Sequence, residues 1–317
     1  MKPPLSPDAI EQAVRRYLDL GPGSADISSP ATGRFNSTYF VSGPEAEAVL
    51  RVAPPDDAGF LFYERKMMAQ EPPVHALVRE TADVPAPAVL GYDTARDLLP
   101  RDYLVLERLP GVPLSQAAGV NLAAVWEQVG EMLARVHAIQ GQRYGYDGPH
   151  LPLAPRAAWG EAFHAMWNAM IDDIEGCKGY APAEAERMRA LLDRFMPLVD
   201  RGVPPSLLHM DVWHENVLVD RKGRVTGLLD WDRALWGDPE IEFAVLDYCG
   251  VSVPSFWRGY GGQRPDGPDA SVRNVLYLLY ELQKYIVIWR ARRADPATAD
   301  RYRGESLRLA SALLERG

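Results

Sequence analysis

Short apolar runs separated by turn residues make up the first part of the chain. Ile10, Val14 and Leu18 recur at helical spacing behind Ser6 and Pro7, which are typical of a helix N-cap and first position, so a short amphipathic helix is predicted there. The segments STYFVSG, around residues 39–41, and AVLRVAP, at 48–54, have strand character and flank the turn-like GPEAE. The pattern predicts a β-hairpin or a small antiparallel sheet.

The next segments alternate helix and strand character. Residues 58–70 lack Gly and Pro after their first positions and predict a helix, whereas the prolines of 84–93 predict extended chain. DYLVLERL at 102–109 predicts a strand, and PGVP at 110–113 ends the pattern. We therefore place a domain boundary after residue 109.

Helical periodicity dominates the rest of the chain. Helices are predicted at 121–139 and at about 156–176, 182–200, 239–249, 270–293 and 297–315. Two short strands, 216–220 and 224–231, are joined by the turn DRKG. The predicted fold class is α+β, with a small antiparallel-sheet N-lobe (1–109) and a larger, mainly helical C-lobe (110–317).

Charge and cysteine content narrow the classes of partner. A net charge of -9 over 317 residues argues against binding to nucleic acid or anionic membranes and favours a cationic small molecule. Cys177 and Cys249 form no spaced motif, which suits a reducing compartment. The N-terminus lacks a signal-peptide core and no apolar run is long enough for a membrane span, so we expect a cytoplasmic protein. The sequence does not indicate an oligomeric state.

The segment LLHMDVWHENVLVD, residues 207–220, concentrates polar side chains within an apolar stretch. His209-x-Asp211-x4-Asn216 is followed fourteen residues later by Asp230, at the end of the second strand of the predicted hairpin. Phosphoryl transfer needs a carboxylate that orients the attacking hydroxyl and accepts its proton, and oxygen ligands that hold Mg2+ on the ATP phosphates. Asp211 suits the first task and Asn216 with Asp230 the second, because the hairpin brings its two outer ends together.

A family resemblance follows from these motifs. HMDVWHEN, together with LLDWDRALWGDPEIEFA at 228–244, resembles the aminoglycoside phosphotransferase and choline kinase-like superfamily, which has a bilobal protein-kinase-like fold. The resemblance covers nearly the whole chain. The runs WGDPEIEFAVLDY, FWRGYGG and NVLYLLYELQKY, and Trp213, are also similar to the fructosamine (ketosamine) kinases of that superfamily.

The resemblance implies a role for individual residues and implies ATP and Mg2+ as cofactors. It makes Asp211 the catalytic base, Asn216 and Asp230 the Mg2+ ligands, and His209 an orienting group. The nucleotide-binding residues that it implies lie in the loop 31–41, on the strands and helix that follow and at the hinge: Gly33, Asn36, Ser37, Thr38, Arg51, Glu64 as the partner of the phosphate-binding cation, and Glu107.

The chain departs from the family pattern at two positions. Met210 stands where the family has glycine, and Arg51 stands where protein kinases keep lysine. Arginine is a permanent cation with bidentate geometry for phosphate, so it is able to bridge ATP and a glutamate. Activity is therefore still expected.

Several polar residues admit more than one interpretation. His209, Asp211 and His214 have side chains that also suit a zinc site in a hydrolase, but such a site would leave Asn216 unexplained. His214 either contacts substrate or is an ordinary surface histidine. Asp232 either assists the metal or caps a turn.

Two residues of the segment 238–244 are also open to interpretation. Asp238 is predicted as an N-cap before Pro239. Glu242 is a candidate substrate contact, with ordinary helix packing as the alternative.

The predicted function is an ATP- and Mg2+-dependent phosphotransferase that acts on a hydroxyl of a small molecule. The first acceptor class is an aminoglycoside or another hydroxylated antibiotic, which would make the chain an antibiotic-resistance enzyme, and the alternative is a ketosamine or other sugar-derived amine. A different class, an inactive nucleotide-binding pseudokinase, is motivated by Arg51 and Met210. It is disfavoured because Asp211, Asn216 and Asp230 are all present.

Overall fold

A computed structural model describes residues 5–29, 35–55, 59–148 and 153–316. In chain order, the helices and strands of these residues are α1 (Pro7–Arg15), β1 (Asp26–Ser28), β2 (Ser37–Ser42), β3 (Glu47–Val52), α2 (Glu71–Thr81), β4 (Val89–Asp93), β5 (Tyr103–Glu107), β6 (Val112–Pro113), α3 (Leu122–His137), α4 (Trp159–Gly176), α5 (Pro182–Val199), β7 (Ser206–Leu208), β8 (Val217–Val219), β9 (Val225–Leu228), β10 (Leu235–Gly237), α6 (Pro239–Tyr248), α7 (Pro254–Tyr260), α8 (Pro268–Val287) and α9 (Pro296–Arg316). The α+β fold class is as predicted.

These residues group into two compact units, neither of which is continuous in sequence. Unit 1 contains residues 1–56, 68–118 and 215–232, and unit 2 contains residues 57–67, 119–214 and 233–317. The units differ from a simple division after residue 109, because 57–67 belongs with the helices and the hairpin 215–232 belongs with the sheet. Within the described ranges, no helix is both long and apolar enough to cross a bilayer.

Unit 1 is built on an antiparallel sheet. Its strands, among the residues described, follow the order β1-β2-β3-β5-β4. Leu50 and Val52 point to the face that packs on Val14 of α1, whereas Val49 packs with Leu104 on the opposite face. Side chains alternate along a strand, so Arg51 shares the face of Val49 and points away from α1.

The predicted helix over residues 58–70 is wrong. Residues 62–66 are turns, Met67–Gln70 is a short 3-10 helix, and α2 begins only at Glu71. The two prolines that follow Glu71 occupy the first turn of α2, where proline costs no internal hydrogen bond. The two prolines therefore mark the start of α2. Residues 60–70 contain no Gly or Pro, but they do not form an α-helix.

The predicted hairpin is confirmed. β8 pairs antiparallel with β9, and Asp220 Oδ1 accepts hydrogen bonds from the amides of Lys222 (2.8 Å) and Arg224 (3.0 Å) in the turn. Beyond the paired residues, the Leu229 amide donates to the Asn216 carbonyl at 2.8 Å. This hydrogen bond keeps the segment just before β8 next to the segment just after β9.

Unit 2 is mainly helical, with a core rich in aromatic rings. Trp159 and Phe163 of α4 pack against Tyr277 of α8, and the Trp159 indole donates to the Tyr277 hydroxyl at 2.8 Å. Asp238 is the N-cap of α6, as predicted, because its carboxylate accepts the Glu240 amide at 3.0 Å. The short strands β7 and β10 pair antiparallel and lead into the segments that follow them, 209–214 and α6.

Candidate active site

The loop after β7 carries the predicted base and is anchored on a buried glutamate. Glu242, fully buried, accepts the amides of His209 (3.0 Å) and Met210 (2.7 Å) and lies 2.8 Å from His137 Nε2. Burial alone would raise the pKa of Glu242, but the contacts with His137, His209 and the Met210 amide bring it below its usual value. No part of Glu242 reaches solvent, which favours internal packing over the alternative of a substrate contact. It holds the backbone that carries Asp211.

Met210 explains why the family pattern favours glycine here. Its φ of +67° lies in the left-handed region, which costs a residue with a side chain about 1–2 kcal/mol. The side chain of Met210 is fully buried, so packing offsets part of that cost. His209 Nδ1 accepts the Asp211 amide at 3.2 Å, which fixes the backbone on the other side of Met210.

An arginine that sequence reasoning missed holds the Asp211 carboxylate. Arg233 Nη1 donates to Asp211 Oδ1 at 3.1 Å, and its Nη2 donates to Glu281 Oε2 at 3.0 Å. Lys284 forms a second ion pair with Glu281, and the Arg233 guanidinium lies over the ring of Tyr63, 5.7 Å from its centroid. Burial alone would raise the pKa of Glu281, but Lys284 and Arg233 lower it below its usual range. Asp211 is thus one end of a chain of ion pairs whose other members, Arg233, Glu281 and Lys284, are buried.

In unit 1, Arg51 lies among three carboxylates. Its Nη1 donates to Glu71 Oε2 at 2.5 Å, and its Nη2 lies 2.6 Å from Asp230 Oδ1 and 3.3 Å from Asp232 Oδ2. Burial alone would lower the pKa of Arg51, but the neighbouring carboxylates of Asp230, Glu71 and Asp232 raise it above its usual value. Asn36, 6% exposed, donates to Asp232 Oδ2 at 3.5 Å. Loop, sheet, helix and hairpin all contribute to this cluster.

The expected partner of Arg51 was wrong. Glu64 accepts the Leu61 amide at 2.8 Å and pairs with Arg292, all within unit 2, while Glu71 at the start of α2 pairs with Arg51. The error arises because the sequence predicts the start of this helix at residue 58, whereas α2 begins at Glu71. Glu71, in the first turn of α2, is the glutamate that reaches Arg51 on β3. The Pro-Pro pair after Glu71 is the signal that would have located it.

The cluster in unit 1 has the charge and the ligand atoms that suit a divalent cation, but not a complete set of ligands. One guanidinium and three carboxylates leave two negative charges in excess, and all the ligand atoms offered are oxygens, which Mg2+ prefers. Asn216 lies on the neighbouring strand end, because its carbonyl accepts the Leu229 amide. Within the described residues no group of three or more His, Cys, Asp or Glu side chains has an arrangement that could hold a metal ion. An ion held here would need other oxygens as well, such as those of Asn216 and of phosphate groups.

The other predicted site residues have varied surroundings. Thr38 lies opposite Arg51 in the β2–β3 pairing, with Ser37 opposite Val52. Glu107 ends β5 and accepts the Ala88 amide at 3.0 Å. Gly33 lies outside the described residues. The ring of His214 packs edge-on against Trp126, with 4.9 Å between ring centroids.

Comparison with known proteins agrees with these motifs. The model of the phosphotransferase enzyme family matches residues 26–270. A protein of Vibrio vulnificus named as a probable ketoamine kinase is 24% identical over 285 residues, which are 86% of this chain and 90% of that protein.

Two solved structures share the fold. A proposed fructosamine-3-kinase from Haemophilus somnus has a TM-score of 0.70 at 18% identity, over 97% of both chains. A mutant aminoglycoside phosphotransferase APH(4)-Ia, in complex with AMP-PNP and hygromycin B, has a TM-score of 0.67 at 21% identity, over 96% of this chain and 98% of that one. The resemblance, the kinase-like α+β fold and the enzyme class predicted from the sequence are confirmed. The chain belongs to the phosphotransferase enzyme family.

Proposed function

We propose that the chain transfers the γ-phosphoryl group of ATP to a hydroxyl group of a small molecule. The acceptor oxygen forms a bond to the γ-phosphorus, the bond from that phosphorus to the bridging oxygen breaks, the hydroxyl proton passes to the Asp211 carboxylate, and ADP leaves. The observation that carries the proposal is the double restraint on Asp211: Arg233 holds its carboxylate and Glu242 holds its loop. A carboxylate fixed in this way orients a hydroxyl without reorganising during the reaction.

The residues of unit 1 suit the nucleotide. Mg2+, when bound, neutralises charge on the phosphates, and the candidates to hold it are Asn216, Asp230 and Asp232. Arg51 supplies a cation for phosphate and Glu71 fixes one arm of its guanidinium, so the arginine fills the place of the usual lysine. This arrangement supports an active enzyme over the pseudokinase hypothesis that Arg51 had motivated.

Two acceptor classes have support. A ketosamine or related sugar-derived amine is supported by the ketoamine kinase relative, which aligns over nearly all of both chains. An aminoglycoside or another hydroxylated antibiotic, the acceptor first predicted, is supported by the structural neighbour in complex with hygromycin B. Both classes present hydroxyl groups on a ring.

The test is a mass-spectrometric screen for an added phosphate on pooled acceptors with Mg-ATP. The pools contain aminoglycosides, other hydroxylated antibiotics and ketosamines made from ribose and fructose. We expect Asp211→Asn to reduce turnover about 10²–10⁴-fold, since it removes the proton acceptor but leaves the nucleotide site intact. Asp193→Asn, at an exposed aspartate of α5, is the matched control and keeps full activity. A turnover of Asp211→Asn close to that of the wild type would exclude Asp211 as the base.

A further inference from the structure

The guanidinium of Arg233 is shared between two carboxylates. Its Nη1 donates to Asp211 Oδ1 at 3.1 Å, and its Nη2 donates to Glu281 Oε2 at 3.0 Å. The exposed fraction falls along these three side chains, from 26% for Asp211 to 8% for Arg233 and 1% for Glu281. Asp211 is therefore the end that an acceptor is able to reach, and Glu281 is closed to solvent.

Few other contacts fix the direction of this guanidinium. Arg233 Nε is buried and has no hydrogen-bond partner among the residues that the structure describes. The guanidinium lies over the ring of Tyr63, 5.7 Å from its centroid, and Tyr63 stacks on Tyr146 with 5.2 Å between centroids. An aromatic ring attracts a cation but does not direct its individual N–H groups. The position of Nη2 is therefore set by Glu281.

Glu281 and its second partner add no net charge beside Asp211. Lys284, three residues further along α8, forms an ion pair with Glu281, and its side chain is 7% exposed. One acid and one base cancel at the distance of Asp211 more nearly than either charge alone would. The effect of Glu281 on Asp211 therefore comes mainly through the direction that it gives to Arg233.

We propose that Glu281 is a positioning residue of the phosphotransferase: it retains the second arm of Arg233 and so keeps the guanidinium from binding both oxygens of Asp211. Arginine and carboxylate groups commonly pair through two parallel hydrogen bonds, which occupy both carboxylate oxygens. A base bound in that way is a weaker proton acceptor, and the guanidinium competes with the acceptor hydroxyl for an oxygen. The inference rests on the function proposed above and adds one residue to its machinery.

Two double variants isolate this contact. Glu281→Met/Lys284→Met leaves no hydrogen-bond acceptor for Nη2 of Arg233, whereas Glu281→Gln/Lys284→Met keeps a carbonyl oxygen there. Each variant loses one acid and one base, so the net charge stays that of the wild type, and neither leaves one member of the ion pair buried without the other. The two variants thus differ at residue 281 alone, in whether Nη2 has an acceptor.

The first experiment measures kinetics with Mg-ATP and the aminoglycosides and ketosamines of the screen. In Glu281→Met/Lys284→Met we expect kcat to fall about tenfold with the KM for ATP within about twofold of the wild type, because the base is impaired and nucleotide binding is not. Glu281→Gln/Lys284→Met should keep kcat within about threefold of the wild type. Glu184→Gln, at another helix glutamate that pairs with an arginine, Arg303, is the control and keeps the wild-type kcat.

Thermal unfolding of each variant separates positioning from stability. Glutamine at residue 281 brings an NH2 group into a buried place, so stability alone would make Glu281→Gln/Lys284→Met the less active of the two variants. Equal kcat values in the two variants, or the lower value in the glutamine variant, overturn the inference while the proposed function stands. A wild type that phosphorylates no acceptor refutes the proposed function instead.

Crystal structures of the two variants give a result that does not depend on turnover. We expect both Nη atoms of Arg233 to lie within hydrogen-bond distance of Asp211 in Glu281→Met/Lys284→Met, and only one of them in Glu281→Gln/Lys284→Met. A guanidinium that keeps its wild-type direction in Glu281→Met/Lys284→Met overturns the inference, whatever the kinetics show.

Discussion

Replacing Glu242 by glutamine should destabilise the loop that carries Asp211 without creating a cavity. In the wild type both carboxylate oxygens are used: Oε1 accepts the Met210 amide, and Oε2 accepts the His209 amide and contacts His137. A glutamine of the same shape has one oxygen and one NH2 group. Whichever way the amide turns, at least one backbone N–H then faces another N–H group in a fully buried site.

The magnitude follows from these contacts. Loss of one charge-assisted hydrogen bond, together with a buried donor left unsatisfied, costs about 2–4 kcal/mol. The substitution lowers the free energy needed to open the loop locally, and each 1.4 kcal/mol corresponds to a factor of about ten in the opening equilibrium. Amide hydrogen exchange in a peptide covering residues 206–212 should therefore accelerate about 30- to 1,000-fold. Turnover should drop as well, because the left-handed Met210 is no longer held in place.

Exchange measured by mass spectrometry, with and without the substitution, gives the answer. Glu127→Gln is the control, since Glu127 is 42% exposed and forms only a surface ion pair with Arg258, worth about 0–1 kcal/mol. Exchange in the 206–212 peptide of Glu242→Gln that stays within about threefold of the control would refute the anchoring role.

Three further outcomes are expected. Glu71→Gln should weaken ATP binding, measured by calorimetry, at least about tenfold, because Arg51 loses a charged partner. Glu64→Gln should leave the ATP affinity within about twofold of the wild type, because Glu64 pairs with Arg292. Equal effects of the two substitutions would contradict the pairing of Arg51 with Glu71. Met210→Gly relieves about 1–2 kcal/mol of left-handed backbone strain but removes a buried side chain that contributes about 2–5 kcal/mol. The free energy of unfolding, measured in urea, should therefore be lower than that of the wild type. A higher value would show that the strain is the larger of the two effects. Burial raises the pKa of Asp173 from 3.8 to about 6, so the folded state binds the proton more tightly than the unfolded state. The free energy of unfolding of the wild type, relative to that of Asp173→Asn, should therefore decline as the pH rises from about 4 to about 6 and level off above that range. A difference that does not change with pH would count against the raised pKa.

The regular elements could be read from the sequence where the apolar pattern was long or a cap was present. Ser6 and Asp238 cap α1 and α6 as predicted, because each precedes a proline and a periodic apolar run. The β8–β9 hairpin was found because DRKG separates two apolar strands. Local signals of this kind need no knowledge of distant residues.

The parts that were missed depend on contacts between distant segments. Nothing near Arg233 in the sequence shows that Glu281, 48 residues later, will pair with it. Residues 58–70 have the composition of a helix, but Leu61, Phe62 and Tyr63 are buried in unit 2 without forming a helix, so tertiary packing overrode local propensity. The same override moved the partner of Arg51 from Glu64 to Glu71. The motif-based residues Asp211, Asn216 and Asp230 remain proposals for the base and the metal ligands.

The interleaving of the two units has a consequence for biosynthesis. A ribosome that has made the sheet strands up to β5 has not yet made Asp230 and Asp232, which complete the ion cluster of Arg51 in the same unit. Unit 1 becomes whole only when residue 232 of 317 has emerged, and by then most of α3, α4 and α5 of unit 2 is already available to fold. Nascent chains arrested before residue 215 should therefore carry an incomplete unit 1, in which Arg51 lacks two of its three carboxylate partners, Asp230 and Asp232.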